Sequence, residues 1–212
     1  EQLKGSRIKM HKLRVPDAIT PEKWISVKLP PGSKVGFDPQ TVTVAGYRMI
    51  NNLLKENGIS MIEIPDIFEK IWENRPEIPQ NTVFEFPASH AGLSRKHKKE
   101  LAISELKKYN ADIQIVTMTD ELAWIFNLRG SDVPFNPVFT GYGVVGKDAI
   151  YLFVDSLKLP SSVRIQLDKD KIRIADYNEF FSWIKTVKDQ TIYIDPSTTN
   201  YAIYRYLCND NN

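Results

Sequence analysis

Residues 120–139 read Asp120-Glu121-Leu122-Ala123-Trp124-Ile125-Phe126-Asn127-Leu128-Arg129-Gly130-Ser131-Asp132-Val133-Pro134-Phe135-Asn136-Pro137-Val138-Phe139. The stretch starts as a short apolar helix and breaks at Asn127. It continues as a polar loop stiffened by Pro134 and Pro137, and a strand then begins at Val138. Thr119 reads as the helix cap, with Asp120 and Glu121 at the positive end of the helix dipole. An apolar helix that delivers charged side chains onto a rigid loop has two readings. In the first, Arg129 and Asp132 form an ion pair inside a tight turn, and the loop is scaffold. In the second, the loop faces a partner surface and presents Arg129, Asp132 and Asn136 to it. The residues alone leave both open.

Outward from this stretch, strand and helix signals alternate. Downstream, the spacing predicts strands over 138–145 and 150–154 around Gly146-Lys147-Asp148, a hairpin. A strand at 172–174, a helix over 177–187 and a strand at 192–194 follow. Upstream lie a strand at 113–117 and a long amphipathic helix opened by Ser94, with Leu101, Ala102, Leu106 and Tyr109 inward. Further back, Thr20-Pro21 starts a helix, 34–37 is a short buried strand, and Val44, Tyr47, Ile50 and Leu54 mark a helix closed by Asn57-Gly58. Residues 59–64 read as a strand, and a helix through Ile67, Ile71 and Trp72 ends at Arg75-Pro76. Residues 1–19 read as a tail with one strand near Ile8 and Met10. The pattern predicts an α/β fold: a mixed β-sheet with helices on both faces.

Composition agrees with a folded domain. The 212 residues suffice for one full core, and 42% hydrophobic with 25% charged residues argues against disorder. A formal net charge of +2 gives no reason to expect nucleic acid or an anionic membrane as partner. Apolar runs fall well short of the roughly 20 residues of a membrane span, and the start lacks a signal-peptide pattern. Cys208 is the single cysteine, so an internal disulfide is excluded and a cytoplasmic location is the default expectation.

Catalytic constellations are sparse. The histidines are His11, His90 and His97, with no metal-ligand spacing around them, and His97 lies within the cationic run Arg95-Lys96-His97-Lys98-Lys99. No metal site is therefore expected in this chain. No Gly-x-Ser-x-Gly elbow or phosphate-cradling glycine loop occurs, and Cys208 has no histidine near it in sequence. The run from Arg95 to Lys99 reads as the solvated face of a helix. Trp24, Trp72, Trp124 and Trp183 read as core.

The 120–139 stretch resembles the "DE-AW-FNLRGSD-NPVF" pattern in the N-terminal region of Xaa-Pro aminopeptidases (aminopeptidase P). Val35-Gly36-Phe37-Asp38-Pro39, Ile71-Trp72-Glu73-Asn74-Arg75-Pro76, Ala91-Gly92-Leu93-Ser94 with Lys98, and Leu152-Phe153-Val154-Asp155 resemble further family motifs, in family order. The likeness spans about residues 20–155 and is greatest to the three-domain, eukaryotic-type form.

The resemblance implies a creatinase N-terminal, ribonuclease-H-like domain over 20–212, preceded by the tail of another such domain over 1–19. The chain then stands as a piece of a longer protein. In that family a C-terminal pita-bread domain holds two divalent ions, usually manganese, through aspartates, glutamates and a histidine, none of which maps onto this chain. The implied role is non-catalytic: shaping the entrance for peptides with proline at the second position, and contacting the catalytic domain of the same protein or a second subunit in a homodimer. By position, Arg129, Asp132, Phe135 and Asn136 are expected to border that entrance or contact. The alternative is a peptide- or protein-binding module of an inactive aminopeptidase-P-like protein; creatine amidinohydrolase shares the architecture, but the FNLRGSD and RP motifs resemble those of the aminopeptidases.

Overall fold

The computed structural model describes residues 2–208; residues 209–212, the end of the expected second domain, lie outside the described part. Eight helices and nine strands are assigned among the described residues. They are α1 (Pro21–Lys28), β1 (Lys34–Phe37), α2 (Val44–Glu56), β2 (Ser60–Glu63), β3 (Phe84–Glu85), α3 (Ala88–Ala91), α4 (Arg95–Lys108), β4 (Ile113–Val116) and α5 (Thr119–Ile125). There follow β5 (Leu128–Arg129), β6 (Tyr142–Gly146), β7 (Ile150–Phe153), α6 (Ser161–Lys169), β8 (Ile172–Ala175), α7 (Phe180–Ile184), β9 (Ile192–Tyr193) and α8 (Tyr201–Cys208).

The main sheet has the order β8-β7-β6-β4-β9. Its outer pairs are parallel and its inner pairs antiparallel, as expected of a mixed sheet. Alternation along each central strand sends successive side chains to opposite faces. Val116, Val145 and Leu152 join the cluster under α4, α5 and α6 with Leu122, Phe126 and Leu167. Ile115, Val144 and Phe153 join the cluster under α7 and α8 with Phe180, Ile184 and Ile203. Helices on both faces follow from strands that are apolar on both sides. At Gly143 any β-carbon would lie 2.9 Å from Leu122 and 3.1 Å from Phe126, so this glycine lets α5 sit directly on the sheet.

A second layer comes from β1, α2 and β2. The two strands pair in parallel, Lys34 opposite Ser60, with α2 as the crossover. Thr43 caps α2 by accepting from the Gly46 amide, and Gly58 ends the turn after it at φ +69°. This unit is tied to the far end of the chain. Val44 N donates to Thr199 O, Ala45 N to Pro196 O and Tyr201 N to Val42 O. The Tyr47 and Tyr201 rings stack at 3.9 Å, and Arg205 pairs with Glu63.

Several expectations need correction. Residues 7–13 form no strand and are exposed, because no strand of the described chain pairs with them. Around Ile67, Ile71 and Trp72 there is one 3₁₀ turn, Phe68–Lys70, instead of a helix; Ile67, Ile71 and Trp72 stay exposed. The strand expected from Val138 starts only at Tyr142, since Val138 and Phe139 are buried side chains of the loop's return. β1 is half open rather than buried. Thr119 is the first residue of α5 and Met118 occupies the cap. Of the α4 residues expected inward, Leu106 is buried, whereas Leu101 and Tyr109 are exposed. The helices α6 and α3 and the short β3–β5 ladder lacked a recognised signal.

The tryptophans divide. Trp183 packs on the α7–α8 cluster, with its ring 5.3 Å from Tyr151 and 5.5 Å from Phe153. Trp24 and Trp72 are exposed, and Trp124 is 45% exposed, overturning its core assignment. The seven residues of α5 make two turns, and the inward face is taken by Leu122, Ala123 and Ile125. Trp124→Ala is accordingly expected to cost only about 1 kcal/mol, mostly the contact of its ring with the Lys98 ammonium. An unfolding free energy from urea titration lowered by about 3–5 kcal/mol would put the ring back in the core.

Candidate functional site

The loop from Leu128 to Thr140 is set in place by the end of α5. Helix C-termini leave carbonyls unpaired and carry partial negative charge, so they attract cations. Three cations answer here. Arg129 Nη1 donates to Ala123 O at 2.6 Å and to Leu128 O at 2.8 Å. Lys98 Nζ donates to Trp124 O at 2.8 Å and to Asn127 Oδ1. Arg95 Nη1 donates to Phe126 O at 3.2 Å, while its other nitrogens pair with Asp170 and Glu85. Asn127 takes φ +48°, an asparagine-tolerant left-handed conformation, and donates to Leu93 O at 2.8 Å. Burial lowers the pKa of Lys98, with a smaller push from the Arg129 charge, and burial also lowers that of Arg129.

Half of the cationic run on α4 is therefore not a solvated face. Arg95 and Lys98 are buried, one helical turn apart on the inner side, and their charges are used on the α5 terminus. Sequence reasoning missed both. The available signal was the i, i+3 spacing of two cations facing a helix that lacks its own basic last turn.

Arg129 and Asp132 do not pair with each other. The Arg129 guanidinium lies 4.3 Å from the Phe86 ring centre, across the β3–β5 ladder. Asp132 instead forms an ion pair with Lys158, and both side chains are only 1% exposed. The same carboxylate oxygen accepts from Thr140 N at 2.6 Å, closing the loop on itself, while Oδ1 is buried without a hydrogen-bond partner. Lys158, unrecognised in the sequence, follows the Asp155 turn that positions it. At Gly130 a β-carbon would meet Phe139 Cβ at 2.8 Å and Val138 O at 3.0 Å, so the two arms of the loop touch where only glycine fits.

What this frame presents to solvent is the tip. Asn136 N donates to Val133 O at 3.1 Å, making a turn with Pro134 second and Phe135 third. Phe135 adopts φ +63° and is 108% exposed. The other described non-glycine residues at positive φ are Arg, Asp, Asn and Lys. A bulky aromatic in the left-handed region costs about 1–2 kcal/mol, and full exposure returns no burial in this chain. Asn136 is exposed beside it, and Val133 is half exposed. Of the four expected residues, the structure places two behind the loop as holders and two on its outer edge.

Among the described residues, no group of three or more His, Cys, Asp and Glu side chains is placed to hold a metal ion. Among the described residues no helix is long and apolar enough to cross a membrane. The fold is thus a mixed α/β domain that displays a braced, strained loop.

The Creatinase/Prolidase N-terminal domain family matches residues 74–212, and the chain belongs to this family. It is 37% identical over 177 residues to a probable Xaa-Pro aminopeptidase P of Leptosphaeria maculans, covering 83% of this chain and 29% of that protein. It is 31% identical over 219 residues to a Xaa-Pro aminopeptidase of Caenorhabditis elegans, covering 99% of this chain and 35% of that protein. The solved X-prolyl aminopeptidase of Caenorhabditis elegans, described as a cytosolic enzyme with a di-nuclear active site, superposes with a TM-score of 0.88 at 31% identity. That match covers 96% of this chain and 34% of the solved one. The chain spans about a third of the length of these relatives.

Proposed function

We propose that this chain is the non-catalytic N-terminal region of a metal-dependent Xaa-Pro aminopeptidase. The parent enzyme removes the N-terminal residue preceding proline, in the cytoplasm, with two divalent ions, manganese by family likeness. The described residues do not fit those ions, so the metal chemistry belongs to a catalytic domain and this chain contributes walls and contacts. The relatives compared are themselves named as aminopeptidases, which leaves the inactive binding module without a supporting observation.

Phe135 carries the assignment of the contact. A strained, fully exposed aromatic on a doubly braced loop is placed for a surface outside this chain. In this reading Phe135 and Asn136 touch the catalytic domain or border the peptide entrance, and Arg129 and Asp132 position them. The unit boundary is also proposed to fall near residue 74, where the family match begins, so that residues 20–64 go with the preceding domain rather than the second.

The test is Phe135→Gly in the full-length parent. Relief of the left-handed strain is expected to raise the isolated chain's stability by about 1 kcal/mol. In the parent, kcat/KM toward an Xaa-Pro peptide is expected to fall, with metal content unchanged. A variant both more stable and fully active would remove Phe135 from the contact. The chain alone is expected to show no manganese-dependent Xaa-Pro cleavage; turnover that co-purifies with it through repeated columns would contradict the division of labour.

A further inference from the structure

The outward half of the α4 cationic run makes no contact in the loop frame, and it lines a cleft on the outer side of the Arg95–Phe126 contact. The cleft, about 420 Å³, lies between the first turns of α4 and the junction of α6 with β8. Lys96 and Lys99 stand on its α4 side, and Lys169 and Lys171 on the other. Its floor is apolar, from Ile103, Phe126 and Ile172.

The charges around it are unbalanced. Among the described residues, none of the four lysines takes part in an ion pair, whereas Arg95 is bound to Asp170 and Glu85. Glu100 and Asp170 are the acidic groups on the wall, and Asp170 is already engaged by Arg95 at 2.6 Å. Four unpaired ammonium groups over a hydrocarbon floor repel one another. They also raise the local concentration of anions. Lys171 is held at φ +57° by the turn that closes α6, which fixes the rim on that side.

We propose that this cleft binds a small amphiphilic anion, a free medium-chain carboxylate whose tail lies on the isoleucine and phenylalanine floor and whose head meets the lysines. The volume falls in the range of small-molecule sites, roughly 300–1,000 Å³. The basic groups converge on one concavity with an apolar base. A nucleic acid would instead require a track of cations along the surface.

The probe is octanoate, titrated into the ¹⁵N-labelled chain, with octan-1-ol as its neutral counterpart. Octanoate is expected to shift the amides of Lys96, Lys99, Lys171 and Ile172, with octan-1-ol binding at least several-fold more weakly. Lys99→Glu/Lys171→Glu is expected to weaken octanoate about tenfold, since it reverses two rim charges. Lys55→Glu/Lys107→Glu, away from the cleft, should leave affinity unchanged. If the first double variant loses its dispersed spectrum, Lys99→Gln/Lys171→Gln replaces it, with a smaller loss expected. Equal binding of the alcohol and the acid, shifts elsewhere only, or shifts produced by an oligoglutamate peptide but not by octanoate would each overturn the proposal.

Discussion

Lys158→Met is expected to destabilise the chain by about 3–5 kcal/mol, the range for breaking a buried ion pair from one side. The side chains of Lys158 and Asp132 are each 1% exposed, so the carboxylate left behind could not be solvated without opening the loop. Its Oδ1 already lacks a partner, and Thr140 N would be the sole remaining donor among the described residues. Replacing both members, as in Lys158→Met/Asp132→Leu, is expected to recover part of the loss, because two apolar side chains need no counter-charge, while Thr140 N loses its acceptor. Equilibrium urea unfolding of the two single variants and the double variant closes the cycle. A Lys158→Met loss below about 1 kcal/mol would mean that the pair is solvated and worth no more than a surface bridge.

Phe126→Ala should cost about as much, roughly 3–5 kcal/mol, through the cavity it leaves. The ring is 1% exposed in the cluster beneath α5 and sits against the position where a Gly143 β-carbon would lie. Its carbonyl also receives Arg95, so any shift of the backbone would loosen the clamp at the loop's root. Beside the small effect expected for Trp124→Ala, this variant gives an internal comparison two residues apart. If the two losses came out alike, the rotation of α5 described above would be wrong.

That comparison shows what the sequence could and could not reveal. Strands β4, β6 and β7 were readable as short apolar runs, and the tight turn between Gly146 and Ile150 marked β6 and β7 as a hairpin. The caps at Thr20 and Ser94 were readable because capping is local chemistry. The facing of a two-turn helix was not: a run such as Leu122–Phe126 is apolar all round, and only the sheet decides which side is buried. The loop's partners were equally hidden. Asp132 lies 26 residues from Lys158, and Arg129 answers carbonyls, which have no sequence signature. The resemblance identified the family, whereas the local contacts of the motif's Arg129 and Asp132, with backbone carbonyls and with Lys158, had to come from the structure. The motif's exposed aromatic was one of four names with nothing in the sequence to single it out.

The stitching of β1-α2-β2 to residues 196–202 bears on the order of synthesis. The ribosome delivers α2 early, yet the amides of Val44 and Ala45 wait for carbonyls at Thr199 and Pro196, and Glu63 waits for an arginine 142 residues further on. Closing so distant a contact is a slow step. Until then the half-finished ladder carries an uncovered apolar side, the kind of surface that holdase chaperones occupy during translation. Within the described chain, a unit made early is sealed late.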